Sequence, residues 1–283
     1  MSQQIYAEVV GVHGIGQHRT NSTALREAWI RAAKDGARLS QAGSIPTFEV
    51  AFYANLFRNP SKRLGNGDDI LTHESSPLTS GEEEFILEAI SDGIGDFDPG
   101  STGKVQAQEL GLPAFPARVT RVLLRIDQKF GRNAGRRAIF VLRQVYRYLT
   151  DEELAVRIRY IVAEAIGANT RVLIGHSLGS VVLYDMILRG EITRSSIPKF
   201  ITIGSPLSWP TVKRMLESGT ELRGEDMIDW SNIYDPRDAV TGGMGLQDSH
   251  IENTQVSNGL LDPHAAIRYL KQPSMGLLLT AGS

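Results

Sequence analysis

The residue best placed to do chemistry in this sequence is Ser177. It stands at the centre of Gly175-His176-Ser177-Leu178-Gly179, a Gly-x-Ser-x-Gly pattern that follows a short apolar run and precedes an apolar helical pattern. A strand, such a turn and a helix are typical of a nucleophile elbow, in which the serine backbone is strained and only glycine fits at positions 175 and 179. The helix would also point its N-terminus toward a developing oxyanion. The pattern predicts a nucleophilic serine, and a tight strand–helix turn with an incidental serine is the alternative.

A serine hydroxyl needs a base, and the base needs an acid that orients it. Only two histidines, His250 and His264, follow Ser177 in the chain. His264 comes after the last predicted strand, at the carboxyl edge of the sheet, where the active sites of parallel sheets lie. His250 comes at the start of that strand, on the opposite edge. We therefore predict His264 as the base, the alternative being a solvated histidine in the first turn of a helix.

Two aspartates follow the preceding strand, within Tyr234-Asp235-Pro236-Arg237-Asp238. Either could orient the histidine, because in this chain order the acid lies between the serine and the histidine. Asp235 could instead end the strand or shape the turn before Pro236. Asp238 reaches further over the sheet edge, so it is the preferred acid and Asp235 remains the alternative.

An oxyanion needs two backbone N–H donors near the serine. One is predicted to be the N–H of Leu178, directly after the nucleophile, and the other the N–H of Ile15. Ile15 lies in Val12-His13-Gly14-Ile15-Gly16-Gln17, whose small residues would let the backbone approach a carbonyl oxygen. A plain strand–helix turn is the alternative for this loop.

Short apolar runs alternate with helical patterns and predict the frame that positions these residues. The predicted strands are residues 5–10, 47–53, 171–175, 199–204, 231–234 and, more weakly, 250–256. The predicted helices are residues 22–38, 118–130, 136–149, 150–166 (with Thr150 as N-cap of a capping box), the stretch after Ser177 to about residue 189, and 263–270. This alternation indicates an α/β protein with a mainly parallel, doubly wound sheet. We expect residues 1–54 and 150–283 to form the core, and residues 55–149 a helical insertion or cap within the same domain.

Composition excludes several other classes of protein. The 283 residues carry a net charge of −2 with a pI of about 6.3, which argues against nucleic acid as a partner. The chain has no cysteine, so disulfides and thiolate metal sites are excluded. Its first residues lack a basic region followed by an apolar stretch, and no run is long enough to cross a membrane, so a cytoplasmic location is expected.

Cofactor motifs are incomplete in this chain. Gly14-Ile15-Gly16 begins a dinucleotide-binding pattern, but Arg19 stands where its third glycine belongs. Residues 98–105 fail the P-loop pattern at both ends. His13 and His18 have no carboxylate partner, so a metal site there is not expected. A mechanism that uses serine, histidine and aspartate needs no cofactor, and none is predicted.

Charge is segregated within the predicted insertion. Residues 68–109 contain eleven acidic residues and one lysine, whereas residues 118–147 contain nine basic residues and one aspartate. The two halves could neutralise each other or present solvated faces. Alternatively, the basic helices 118–147 could make peripheral contact with an anionic membrane or an acidic partner. Their apolar faces could roof an acyl pocket or simply pack on the core.

With these residues in place, the chain resembles the α/β-hydrolase superfamily, especially its lipase and esterase branches, whose oxyanion loop reads His-Gly-x-Gly as residues 13–16 do. It is also similar to a group of bacterial cytosolic hydrolases that share Tyr-Leu-Thr-Asp (148–151), Gly-Ser-Pro-Leu (204–207) and Asn-x-Tyr-Asp-Pro-x-Asp-x-Val (232–240). The resemblance covers residues 5–53 and 150–272 and contributes to the choice of Asp238, Ile15 and His264. It implies the fold and serine chemistry, but not the substrate.

Taken together, these features predict a carboxylic ester hydrolase that forms an acyl-enzyme on Ser177 with a small or lipid-like acyl substrate. The same residues would serve a thioesterase, an amidase or a phospholipase, which a substrate panel would distinguish. A binding or signalling protein that retains a hydrolase pocket is the alternative from a different class, and it predicts a serine that does not react with a fluorophosphonate.

Overall fold

One all-parallel sheet forms the centre of the computed structural model, which describes residues 6–17, 20–57, 77–94, 115–218 and 228–280. The strands are β1 (Val9–Val12), β2 (Phe48–Ala51), β3 (Val172–His176), β4 (Lys199–Ile203), β5 (Asp229–Tyr234) and β6 (Ile251–Gln255). They lie in the order β2-β1-β3-β4-β5-β6. The chain first winds from β1 to β2 and then continues in the other direction from β3. Open α/β sheets bind ligands beyond the carboxyl ends of the strands at such a reversal, here between β1 and β3.

Helices cover both faces of the sheet. One face is covered by α1 (Ser22–Leu39), α8 (Ala266–Leu270) and α9 (Pro273–Thr280). The other is covered by α2 (Ser80–Ile94), α3 (Ala117–Phe130), α4 (Ala134–Thr150), α5 (Glu152–Ala165), α6 (Leu178–Leu188) and α7 (Pro210–Glu217).

Neighbouring residues of a strand serve opposite faces of the sheet. Val9 joins the apolar cluster that contains α1 and Val10 joins the other cluster, and Leu173 and Ile174 divide in the same way. All four side chains are fully buried. Strands covered on both faces are expected to be apolar throughout, which is why these runs show no polar alternation. The predicted α/β class and parallel sheet with flanking helices are confirmed.

The helices of the predicted insertion share the core of the sheet. Ile86 of α2, Val122 of α3 and Val145 of α4 are buried in the same apolar cluster as Leu173 and Phe200 of the strands. Within the described residues, segments 77–94 and 115–149 therefore pack as part of one face of the sheet. Residues 58–76 and 95–114 of the predicted insertion lie outside the described residues.

Within the described residues, a buried ion pair joins the acidic and basic halves of this segment. Arg143 of α4 donates its Nε–H to Glu82 of α2 at 2.7 Å, and both side chains are buried. Glu88 and Asp92 of α2 instead pair with Arg214 of α7, at 2.6 and 2.9 Å. The acidic helix is thus tied both to a basic helix of its own segment and to the core.

Helix caps differ from those predicted at two places. Helix α2 was not predicted, yet it has a reciprocal capping box: the N–H of Glu82 donates to Thr79 Oγ1 at 3.2 Å, and the N–H of Thr79 donates to Glu82 Oε2 at 2.8 Å. The predicted N-cap Thr150 is instead the last residue of α4. Asp151 caps α5, accepting from the N–H of Leu154 at 3.0 Å. Because α4 continues to Thr150, the N-cap role predicted for this threonine falls to the carboxylate of the next residue, Asp151.

Strand β1 extends past Gly11, which the sequence pattern had placed after the strand. A Cβ at this position would lie 2.6 Å from the Trp29 ring of α1. The glycine therefore allows close helix–sheet packing rather than ending the strand. No helix in the described part of the chain is long and apolar enough to cross a membrane.

A buried polar network joins α4, α5 and α6. Asp185 accepts from the Tyr148 hydroxyl at 2.6 Å, from Arg159 at 2.9 Å and from Arg189 at 2.9 Å. Arg159 is also paired with Glu152 at 2.7 Å. Tyr148 and Asp151 belong to the Tyr-Leu-Thr-Asp stretch. Through Tyr148 this stretch links α4 to α6, the helix that follows Ser177, and through Asp151 it caps the start of α5.

We predict that this network stabilises the fold measurably. Asp185→Ala should lower the free energy of unfolding by about 3–5 kcal/mol, because it leaves the buried guanidinium of Arg159 short of a partner. Tyr148→Phe should cost about 1.5–3 kcal/mol, the usual range for a hydrogen bond to a charged group. Urea unfolding followed by circular dichroism measures both. Tyr160→Phe, at a tyrosine 65% exposed, is the matched control, and losses equal to that control would contradict the prediction.

Candidate active site

Ser177 sits in a strained turn between β3 and α6. Its φ of 53° and ψ of −126° lie in a region that residues other than glycine rarely adopt. A Cβ at Gly175 would lie 2.5 Å from the Cα of Ser180, and a Cβ at Gly179 would lie 2.0 Å from the carbonyl oxygen of Val12. The added Cβ would collide with backbone atoms, which cannot move aside as a side chain can, so both positions require glycine. The turn has the backbone geometry of a nucleophile elbow.

His264 and Asp238 continue from Ser177 in a chain of hydrogen bonds. The Nε2 of His264 lies 3.1 Å from Ser177 Oγ, and its Nδ1 lies 2.8 Å from Asp238 Oδ2. Because Nδ1 faces a carboxylate, it carries the ring proton and leaves Nε2 to accept the serine hydroxyl proton. All three residues are buried. A hydroxyl, an imidazole and a carboxylate in this order can generate a nucleophilic oxygen.

The Asp238 carboxylate is held by further donors. Its Oδ1 accepts from the N–H of Val240 at 2.9 Å, and its Oδ2 accepts from the Tyr269 hydroxyl at 2.8 Å. Burial by itself would raise the pKa of this carboxyl, but the charge of His264 and the hydrogen bonds from His264, Tyr269 and Val240 bring its pKa below the usual value. Asp238 is therefore a fixed anion beside the imidazole.

Asp235, the alternative acid, is fully buried but lies in a different set of contacts. Its Oδ1 accepts from the N–H of Arg237 at 2.8 Å, and its Oδ2 accepts from the N–H of Asn258. It therefore ties the end of β5 to the loop after β6. His250, the alternative base, is exposed just before β6, at the opposite edge of the sheet. The structure thus brings together Ser177, His264 and Asp238, and places Asp235 and His250 elsewhere.

The loop after β1 packs directly against the serine. A Cβ at Gly14 would lie 2.6 Å from the Cβ of Ser177, so only glycine permits this approach. The next residue is Ile15, and neither its N–H nor that of Leu178 donates to an acceptor within the described residues. Leu178 is the first residue of α6, where an N–H has no acceptor within its own helix. The two predicted oxyanion donors are thus uncommitted.

His13 anchors this loop. Its ring stacks on Tyr53 with centroids 4.2 Å apart, its Nε2 accepts from the N–H of Tyr53 at 3.1 Å, and its carbonyl oxygen accepts from the Tyr53 hydroxyl. Burial lowers the pKa of His13 to about 4, so the ring is neutral at ordinary pH. Among the described residues no group of side chains could hold a metal ion, and the position of His18 lies outside them.

Three residues that support the histidine were not predicted as part of the site. The hydroxyl of Tyr269, besides contacting Asp238, accepts from the N–H of Asp235 at 3.1 Å. Gly204 has a φ of +55°, and a Cβ there would lie 3.1 Å from both Asp238 Oδ2 and His264 Nδ1. His176 donates its Nε2–H to the carbonyl oxygen of His264 at 2.8 Å. Gly204 stands in the Gly-Ser-Pro-Leu stretch noted in the sequence, whereas no sequence signal pointed to Tyr269.

The Gly-Ser-Pro-Leu stretch also braces the elbow. Ser205 Oγ lies 2.6 Å from Ser180 Oγ, and Ser180 Oγ donates to the carbonyl oxygen of Ser177 at 2.6 Å. His264 itself lies in the turn before α8, not within the helix predicted to begin at Pro263. The residue is thus held by a loop and its contacts rather than by helical geometry.

Comparisons with protein-family models, with curated proteins and with solved structures give no match. The function must therefore be inferred from the site itself.

We predict that His176 makes stability depend on pH. Burial, with a smaller effect of the His264 charge, lowers the pKa of His176 to about 3, so between that pH and the unfolded value of about 6.5 only the unfolded chain takes up the proton. The free energy of unfolding should then fall as pH drops below about 6.5, by up to about 1.4 kcal/mol per pH unit from this one group.

Urea unfolding between about pH 7 and pH 5 measures this slope. His176→Gln should make it shallower by about 1 kcal/mol per pH unit, whatever its effect on absolute stability. The exposed His250→Gln is the control and should leave the slope unchanged. Equal slopes for wild type and His176→Gln would show that His176 does not carry the effect.

Proposed function

We propose that this protein is a serine hydrolase with an α/β-hydrolase fold that cleaves carboxylic esters through an acyl-enzyme on Ser177. The observation that carries the proposal is the unbroken hydrogen-bond chain from Ser177 Oγ to His264 Nε2 (3.1 Å) and from His264 Nδ1 to Asp238 Oδ2 (2.8 Å). It begins at a serine whose strained backbone, with φ of 53°, leaves the hydroxyl facing the imidazole. A serine kept only for packing would need neither feature.

In the first half of the reaction, His264 Nε2 takes the hydroxyl proton as Ser177 Oγ attacks the ester carbonyl carbon. The carbonyl oxygen becomes an oxyanion, which the N–H groups of Ile15 and Leu178 stabilise; one such donor contributes about 2.7–4 kcal/mol to the transition state. Asp238 stabilises the imidazolium. His264 then returns the proton to the alkoxide as the C–O bond breaks, so an alcohol leaves and the acyl group remains on Ser177.

In the second half, water enters in place of the alcohol. His264 removes a proton from this water, which attacks the acyl carbon and forms a second oxyanion at the same donors. Collapse of this intermediate breaks the bond to Ser177 Oγ, and His264 gives the proton back to the serine. A carboxylic acid is released and every residue returns to its starting state. Each proton is carried by a residue of this chain.

The position of the site in the sheet supports the proposal. Ser177 follows β3 and Ile15 lies in the loop after β1, so nucleophile and oxyanion donors flank the point where the winding of the sheet reverses. A ligand bound there would meet both groups at once. The surrounding burial lowers the local dielectric and strengthens the interaction between the N–H donors and an oxyanion.

The nature of the bond is tested by a substrate panel. Esters, thioesters, amides and phospholipid acyl esters all present a carbonyl carbon that Ser177 could attack, and they differ in the leaving group that His264 must protonate. We expect carboxylic esters to be cleaved with the highest kcat/KM. Faster cleavage of any other member of the panel would keep the mechanism and change the assigned substrate class.

Labelling by a fluorophosphonate tests the nucleophile directly, because this probe phosphonylates a serine only when the serine is activated. We expect Ser177 to be labelled in wild type and labelling to be lost in Ser177→Ala. Ser249→Ala, at an exposed serine, should be labelled as strongly as wild type. An unlabelled wild-type protein whose circular dichroism shows a folded chain would overturn the proposal.

The two aspartates should behave differently when each is replaced by asparagine. Asp238→Asn should lower kcat by about 10⁴-fold, because an amide at this place favours the wrong imidazole tautomer. Asp235→Asn should leave kcat within a few-fold of wild type and instead lower the free energy of unfolding by about 1–3 kcal/mol, since its hydrogen bonds hold a loop. Steady-state kinetics and urea unfolding measure the two effects, and the reverse pattern would make Asp235 the orienting acid.

A further inference from the structure

Two neighbouring leucines are almost fully exposed beside the candidate active site. Leu260 is 82% exposed and Leu261 is 90% exposed, the highest values among the large apolar side chains of the described residues. They precede His264 by only four and three residues. Single exposed apolar side chains are common on protein surfaces and need no explanation. Two adjacent ones so close in sequence to His264 suggest a contact surface.

The base of this loop is clamped, so the leucines are held outward. Asn258 donates its side-chain N–H to the carbonyl oxygen of Pro263 at 2.7 Å, and its own carbonyl oxygen accepts from Arg268 at 2.7 Å. Gln272 donates to the side chain of Asn258 at 2.8 Å. With both ends fixed at Asn258 and Pro263, the intervening tip, residues 259–262, stays at the surface.

A basic corner lies against this tip. Arg137 of α4 pairs with Asp262 at 2.5 Å, so the first turn of α4 contacts the residue that follows Leu261. Residues 128–137 contain four basic side chains and no acidic one. Two of these, Lys129 and Arg132, are exposed. Asp127 accepts from the N–H of Gly135 at 2.7 Å at the same corner, and the tip itself contains Asp262. Residues 127–137 and 259–262 together thus contain four basic and two acidic side chains, a net charge of +2.

We propose that the tip 259–262 and the basic corner 128–137 together bind the surface of an anionic lipid layer. Leu260 and Leu261 enter the boundary between headgroups and acyl chains, while Lys129 and Arg132 contact the lipid phosphates. Exposed apolar side chains next to cations are the combination that favours the interface of an anionic bilayer. The choice of lipid rests on the proposed function, because an acyl ester hydrolase that docks here would hold its reactive site at the layer that contains its substrate.

Vesicle co-sedimentation tests the proposal with the full chain carrying Ser177→Ala. This variant removes turnover, so binding is measured whether or not the proposed chemistry is correct. We expect binding to vesicles of phosphatidylcholine and phosphatidylglycerol, and weaker binding to phosphatidylcholine alone. Adding Leu260→Ser and Leu261→Ser should reduce binding to the anionic vesicles by about tenfold or more. Lys129→Glu with Arg132→Glu should remove the preference for anionic vesicles.

The matched control replaces two leucines elsewhere, Leu39→Ser and Leu277→Ser, which are 54% and 56% exposed. It should bind vesicles as the parent does. Absence of vesicle binding by the parent, or equal loss in the control, would overturn the proposal. So would concentration-dependent self-association in analytical ultracentrifugation that Leu260→Ser with Leu261→Ser abolishes, because the leucines would then contact a second copy. Fluorophosphonate labelling of the chain with Ser177 intact separately reports whether the proposed chemistry fails.

Discussion

The strained backbone of Ser177 is the constraint on which the rest of the structure depends. An unfavourable φ persists only where neighbouring groups leave the chain no other path. Here Gly179 lies against the backbone of Val12, and Gly175 lies against the backbone of Ser180. Gly14 lies against Ser177 itself. The N–H of Ser177 is held by the carbonyl oxygen of Ile203 at 3.2 Å. The turn is therefore fixed by β1, β3, β4 and α6 together, and the packing of the sheet is inseparable from the direction in which one hydroxyl points.

The parallel sheet brings the remaining groups to this turn from distant parts of the chain. Each strand of a parallel sheet ends at the same edge, so the loops that follow neighbouring strands meet there. The loop after β1 contributes Ile15, that after β4 Gly204, that after β5 Asp238 and that after β6 His264. Each loop contributes a different chemical group. Contacts such as that of Tyr269 with Asp238 hold these groups in their relative positions. A network of this kind is rigid because most of its polar atoms are both buried and bonded.

The sequence alone predicts those parts of the arrangement that are local or that follow from the order of residues in the chain. The elbow, the strands and the serine–aspartate–histidine order are of that kind, and the α/β class follows from the alternation of elements. Tyr269 could not be found in this way, because a tyrosine in a helix has the same pattern whether it packs or bonds an aspartate. Gly11 was misjudged because its role depends on the ring of Trp29, which is remote in sequence. Helix α2 was missed amid glycine, proline and serine, although its capping box was present in the sequence.

The hydrogen bond between Ser177 and His264 joins residues 87 positions apart. Contacts of such long range form late, since the chain must lose the entropy of closing a large loop before they add stability. During synthesis the serine is made well before the histidine, and β6 must join the edge of the sheet before the imidazole reaches its place. A newborn chain would thus carry Ser177 before His264 can reach it, so the hydrolase activity proposed above would be absent at that stage. The hydrogen-bond chain from Ser177 to Asp238 would be completed with the final closing of the fold rather than gradually.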